Sequence, residues 1–229
     1  MDKDEFIKEV EKLGINLTEK QIWQLNQYYE FLVEWNQKIN LTRIIEEKDV
    51  YLKHFYDSIT LFKAYNLRQN VSLCDIGTGA GFPGIVLKIV FPTLSVTLVD
   101  ALLKRVNFLN IVIERLQLKN IETVHARVED YAKNNYEKFD IVTCRAVANL
   151  TTLLNYSIPL VKVNGYFLPM KANCEEELMD AKRVFKKYHL EFERIIEFEL
   201  PKENSHRTIL VIKKVSSNKE RSIKKIKNR

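Results

Sequence analysis

Glycine is scarce in this chain, six in 229 residues, and four of the six fall between Gly77 and Gly84. Such a cluster marks a place where backbone must turn tightly or approach something closely. Cysteine is scarcer still. Cys74, Cys144 and Cys174 are an odd number with neither CxxC nor His/Cys spacing, which argues against a disulfide framework and a zinc site. No apolar run approaches the roughly 18 residues of a membrane span. The opening "MDKDEFIKEV" carries acids where a signal peptide needs a basic and then an apolar stretch. The expectation is a soluble cytoplasmic protein that engages no membrane. No GK[ST] follows the glycines, which excludes a P-loop.

What is present is ordinary for a globular protein, 46% hydrophobic and 29% charged residues. The net charge of +6 is uneven: from Lys213 to Arg229 eight basic residues face one acid, Glu220. Such a tail is either solvated chain or an electrostatic arm for nucleic acid. Three parts are expected: a helical segment 1–66, an α/β domain 67–215 and a basic tail 216–229.

The first third reads as helix. Thr18 and Gln21 form a capping box, and Ile22, Leu25, Tyr29, Leu32, Trp35 and Ile39 recur at helical spacing as one buried face. A second helical stretch, 46–65, places Val50, Phe55, Ile59 and Phe62 inward. The "INLTR" between them reads as too polar for core. After Asn66 short β-branched runs ("VSLCDI", "SVTLVD", "IETVHA", "FDIVTC", "GYFLPMK") alternate with helical patterns, which predicts βαβ crossovers and a mostly parallel sheet. "EFERIIEFEL" and "RTILVIKK" have no helix between them and predict an antiparallel hairpin at the sheet edge.

The glycines follow the first strand and open a helix. Gly79, Gly81 and Gly84 fit GxGxxG, with Asp100 ending the next strand, so a dinucleotide is one reading. Two features favour S-adenosylmethionine instead. Asp75 completes "DIGTGAG", and a carboxylate at the mouth of the turn opposes a pyrophosphate but suits an ammonium. Pro83 removes an N–H from the first helical turn. Taken singly, Gly77 and Gly79 are turn residues and Asp100 a helix cap. Together, at adjacent strand ends, they make a site. The mark of a cytosine-C5 enzyme, a cysteine preceded by proline, is missing. So is [DN]PP[YF] of exocyclic-amine enzymes; "CRAVAN" stands in its place. An endocyclic nitrogen such as purine N7 needs neither, because its lone pair is available, and catalysis is then positioning and charge stabilisation.

Six stretches in order, "WNQKINLT", "HFYDS", "DIGTGAGFPG", "LVDALLKRVNFL", "ARVED" and "RAVANL", resemble the glucose-inhibited division protein B family of bacterial small-subunit ribosomal RNA methyltransferases acting on guanine N7. The resemblance spans residues 5–214. It implies a class I S-adenosylmethionine-dependent methyltransferase of α/β fold, with a seven-stranded sheet, an antiparallel edge hairpin and an N-terminal helical segment. Its partner is 16S ribosomal RNA or the small subunit, and a monomer is expected. The resemblance also implies that Gly77, Phe82, Val128, Glu129 and Arg145 contact the cofactor and that Asp100 binds its ribose. Arg145 is in addition placed to orient guanine or meet phosphate. Asn40, Arg43, His54, Asp57 and Ser58 are family-like polar residues. His54, Asp57 and Ser58 share a helix face by spacing and either line the substrate cleft or join the two parts of the chain. Lys171 is a candidate for RNA phosphate, although Ala172 stands where the family pattern has glycine.

Overall fold

The computed structural model describes residues 1–145, 148–172, 174–203 and 205–217. Most of the basic tail, 218–229, lies outside the described residues, as do Ala146, Val147, Asn173 and Asn204.

Seven strands form one sheet: β1 Ser72–Ile76, β2 Ser95–Asp100, β3 Ile121–His125, β4 Phe139–Arg145, β5 Val161–Lys171, β6 Leu190–Glu199 and β7 His206–Lys214. Their order is β3-β2-β1-β4-β5-β7-β6. The first five are parallel, and β7 runs antiparallel to both neighbours. The expected hairpin is therefore present at one edge of the sheet, with β6 outermost and β7 inside it. The reason is in the two sequences. β7 is an almost unbroken buried run, fit for an interior strand, whereas β6 carries Glu191, Glu193, Arg194, Glu197 and Glu199 and is largely exposed. Charges along an outer strand also block edge-to-edge pairing.

Helices α1 Lys3–Lys12 and α2 Glu19–Ile39 start on capping boxes, Asp2 with Glu5 and Thr18 with Gln21. A helical rod follows over 47–63, its centre, Val50–Tyr56, wound as a π-helix. Val50, Phe55 and Ile59 are fully buried, and Phe62 is half-buried against Phe91. The crossovers carry α3 Gly84–Val90, α4 Leu103–Arg115, α5 Val128–Asn134 and α6 Leu150–Ser157. The helix expected near 175–188 is broken at Ala181 into α7 Glu175–Asp180 and α8 Lys182–Tyr188.

The inward face of α2 is rotated from the expected one. Gln24, Leu25, Tyr28 and Leu32 are buried, while Ile22, Tyr29, Trp35 and Ile39 are only half-buried. Helix-end carbonyls decide this. Gln21 donates to Ile89 and Val90 O, and Gln24 donates to Leu116 O, so α2 satisfies the unpaired C-terminal carbonyls of α3 and α4. Tyr28 reaches the glycine loop and donates to Ala80 O. A helical pattern counts glutamines as surface, but with a buried carbonyl to serve they belong inside. One apolar cluster accordingly joins Phe6, Tyr28 and Phe55 of the N-terminal segment to Leu73, Ile85 and Leu98 of the α/β part.

Candidate active site

The carboxyl ends of β1 to β5 open on one side of the sheet, where β1, flanked by β2 and β4, makes the switch point of the topology. A cavity of about 660 Å³ lies there, lined by Thr42 and His54 from the helical segment and by Gly77, Gly79, Phe82, Asp100, Val128, Glu129 and Arg145. A second cavity of about 540 Å³ adjoins it. His54 and Arg145 belong to both, and the second adds Lys53, Asp57, Lys171 and Arg207.

The loop after β1 spends its donors inward. Gly77 and Thr78 N–H bond Val99 O, Gly81 and Phe82 N–H bond Thr78 O, Gly79 N–H bonds Asp100 Oδ2 at 2.9 Å, and Gly84 N–H bonds Asp75 Oδ2 at 2.8 Å. A pyrophosphate cradle needs those groups free. Asp75 is not at the mouth of the turn, as the motif suggests, but fully buried beneath it, where it also accepts from Thr78 Oγ1 at 2.6 Å. Burial pushes its carboxyl up to about 7, against the Thr78 and Gly84 hydrogen bonds, and its Oδ1 has no partner among the described residues. Asp100 plays two parts: it lines the cavity, and its Oδ1 accepts from Leu102 N–H at 2.9 Å to cap the turn before α4. The cavity wall carries both signs, Asp100 and Glu129 against Arg105, Arg127 and Arg145, with Arg105 3.4 Å from Asp100. It is therefore the inward-turned N–H groups of Gly77, Thr78, Gly79, Gly81, Phe82 and Gly84 that make the loop a poor phosphate cradle.

Arg145 occupies the junction of the cavities, its side chain 15% exposed. Nη1 donates to Lys53 O at 2.8 Å and to Asp57 Oδ2 at 3.2 Å, and Nη2 lies 2.9 Å from His54 Nδ1. Arg207, from β7, comes within 3.3 Å of Asp57 Oδ1. Beyond the imidazole, Thr42 Oγ1 sits 3.0 Å from His54 Nε2. Burial, with the charge of Arg145, lowers His54 to about 3, so it is neutral throughout the physiological range. Its ring stacks on Phe82 at 4.3 Å, which covers one face of that phenylalanine.

The other candidates fall as follows. Lys171 lines the second cavity beside Ala172, with its ammonium on Ala148 O and Glu177, both at 2.9 Å. Ser58 turns away: fully buried, it donates to His54 O within the helical rod. Asn40 is the left-handed C-cap of α2; it and Arg43 are exposed and line neither cavity. The stretch read as too polar for core supplies buried Leu41 and the cavity residue Thr42. Thr42, Asn36, Tyr28 and Arg207 escaped the sequence reading of the site. Only "WNQKINLT", which holds Asn36 and Thr42, gave a signal for any of them.

A profile described as rRNA small subunit methyltransferase G, of the GidB family, matches residues 21–215. The chain belongs to the GidB family. Its relatives include the "Ribosomal RNA small subunit methyltransferase G" of Oceanobacillus iheyensis, 48% identical over 93% of this chain and 91% of that protein. The protein of the same name from Bacillus subtilis is 47% identical over 95% and 92%. Among solved structures, an S-adenosylmethionine-dependent methyltransferase from Aquifex aeolicus superposes with a TM-score of 0.53 at 19% identity, covering 72% of this chain and 93% of that one. TYW2 of M. jannaschii, in complex with AdoMet, superposes at 0.54 with 16% identity, covering 68% and 74%. The fold of this GidB member is that of class I S-adenosylmethionine-dependent methyltransferases.

Cofactor binding is expected to depend on pH through Asp75, which lies buried beneath the loop. With its carboxyl at about 7 in the free protein, it is mostly protonated at pH 6. A cationic ligand above the loop favours the carboxylate, so binding S-adenosylmethionine releases protons below about pH 7 and affinity rises with pH up to that point. Calorimetry in two buffers of different ionisation enthalpy is expected to show release of a large fraction of a proton at about pH 6, little at about pH 8, and none in Asp75→Asn.

Proposed function

We propose that the chain transfers the methyl group of S-adenosylmethionine to N7 of a guanine in 16S ribosomal RNA, acting in the cytoplasm as a monomer on the RNA or the small subunit. The observation that carries the choice of a ring nitrogen is the state of His54. Its Nδ1 faces a guanidinium, its Nε2 faces Thr42, and it stays neutral. Asp57 is held between Arg145 and Arg207, and Lys171 is paired with Glu177. None of these is free to take a proton, and a ring nitrogen with its own lone pair has none to give up.

When bound, the cofactor supplies an electrophilic methyl on a sulfonium. Its binding residues lie along β1 to β3: Gly77 and Gly79 beneath, Asp100 for the ribose hydroxyls, and Val128 with Glu129 for the adenine. Phe82 packs between this region and His54. Arg145, at the end of β4, orients the base at the junction. Around the second cavity Lys53, Arg145, Lys171 and Arg207 outnumber Asp57 and Glu177, a net positive wall for backbone phosphate. The chain contributes position and a fixed field rather than proton transfer.

The test is transfer of tritiated methyl from S-adenosylmethionine to small subunits from a strain lacking this gene, followed by nucleoside analysis. Label as N7-methylguanosine in 16S RNA is expected. Label in another nucleoside, or none in subunits or extracted RNA despite cofactor binding, would overturn the proposal.

A further inference from the structure

Thr42 stands at the free end of the chain of bonds through His54 and Arg145. Its Oγ1 has two lone pairs and one hydrogen to place. Both lone pairs are taken. Ile44 N–H donates to Oγ1 at 3.1 Å, and His54 Nε2 lies 3.0 Å away. The direction of that second bond is fixed. A guanidinium only donates, so His54 Nδ1, 2.9 Å from Arg145 Nη2, is the acceptor, and the neutral ring carries its hydrogen on Nε2. The Thr42 hydroxyl is left as an obligate donor, and none of the described residues accepts its hydrogen.

The position is as constrained as the polarity. Thr42 N–H donates to Asn36 Oδ1 at 2.8 Å, which pins the residue at the end of α2. Thr42 lines the 660 Å³ cavity together with His54 and Arg145. Its bonds lead to Arg145 at the end of β4, whereas Gly77, Asp100 and Val128 lie at the ends of β1, β2 and β3. Thr42 thus belongs to the helical-segment wall of the cavity, one imidazole away from Arg145, where the base is placed at the junction.

We propose that Thr42 is a specificity-determining residue whose hydroxyl donates to O6 of the acceptor guanine. This rests on the guanine-N7 reading. Beside N7, guanine presents the O6 acceptor and adenine an amino donor. A hydroxyl able only to donate holds O6 and is opposed by an amino group, so the bond that orients N7 also rejects the 6-amino purine.

The test uses small subunits assembled with 16S RNA carrying 2,6-diaminopurine in place of the methylated guanine. The analogue keeps N7 and the 2-amino group and exchanges O6 for an amino group. The full-length parent is expected to methylate these subunits with kcat/KM about ten- to hundred-fold below guanine subunits. Thr42→Val is expected to bring that ratio within about threefold, and Thr42→Ser to keep the parental ratio. S-adenosylhomocysteine affinity should stay within about twofold in all three, because the hydroxyl serves the base. A parent that does not discriminate, or equal discrimination in parent and Thr42→Val, overturns the assignment. So does a tenfold loss of S-adenosylhomocysteine affinity in Thr42→Val with unchanged discrimination, which would give the hydroxyl to the cofactor's carboxylate. A parent that leaves guanine subunits without N7-methylguanosine overturns the underlying reading instead.

Discussion

Arg145→Ala is expected to lower methyl transfer more than about a hundredfold and to destabilise the fold by roughly 3 kcal/mol. The side chain is three parts at once: it neutralises Asp57, whose carboxylate is 5% exposed, it supplies the donor to His54 Nδ1, and it ties the carbonyl of Lys53 to the end of β4. Breaking a buried pair costs about 3–5 kcal/mol, and the low end applies because Arg207 remains 3.3 Å from Asp57. The loss of activity follows from geometry. Without the guanidinium, His54 is free to change tautomer or rotate, and Thr42 loses the fixed polarity of its neighbour. His54 should also titrate at higher pH, since burial still holds it down but the charge of Arg145 no longer does. Thermal unfolding, single-turnover transfer and the His54 ring resonances check the three parts. Arg145→Lys separates them: an ammonium restores charge but not the planar fork that reaches Lys53, Asp57 and His54 together, so stability should recover more than activity. Transfer within threefold of the parent in Arg145→Ala would refute this account of the junction.

Gly84→Ala is expected to lower the melting temperature by about 5–10 °C and to weaken cofactor binding at least about tenfold. A Cβ at this position would overlap the Leu98 side chain and stand 2.9 Å from Asp75 Oδ2 and 3.1 Å from Asp75 Cβ. Neither neighbour can yield, since Leu98 and Asp75 lie on adjacent buried strands, β2 and β1. Overpacking of this kind costs about 1–3 kcal/mol, at roughly 2–4 °C per kcal/mol in a chain of this size. Displacing Asp75 would also release the N–H of Gly84 and the hydroxyl of Thr78, which hold the loop under the 660 Å³ cavity. Gly79→Ala is the control. Nothing lies within 4 Å of its Cβ position, so only the backbone cost of φ +61° remains, about 1–2 kcal/mol. Scanning calorimetry of both variants tests the contrast in stability, and S-adenosylhomocysteine titration of Gly84→Ala tests the effect on binding. Gly84 has no positive φ, so a Gly84→Ala destabilisation no larger than that of Gly79→Ala would refute the steric account.

The sequence by itself determined the parallel sheet, the glycine loop after β1, Asp100 at the end of β2, Val128 and Glu129 after β3 and Arg145 at the end of β4. Each of these is set by neighbours a few residues away, and parallel βαβ units bring successive strand ends to one side. Tertiary structure alone decided who partners whom. The bonds among Thr42, His54, Arg145, Asp57 and Arg207 join the helical segment to β4 and β7 across separations such as 91 residues between His54 and Arg145. It also decided that Gln24 and Tyr28 lie inward, that Ser58 serves its own helix, that Asp75 lies below the loop, and that β7 rather than β6 is interior. Periodicity reports how apolar a face is, not which carbonyl, carboxylate or imidazole waits opposite it. For a buried polar group that partner sets both its place and its charge.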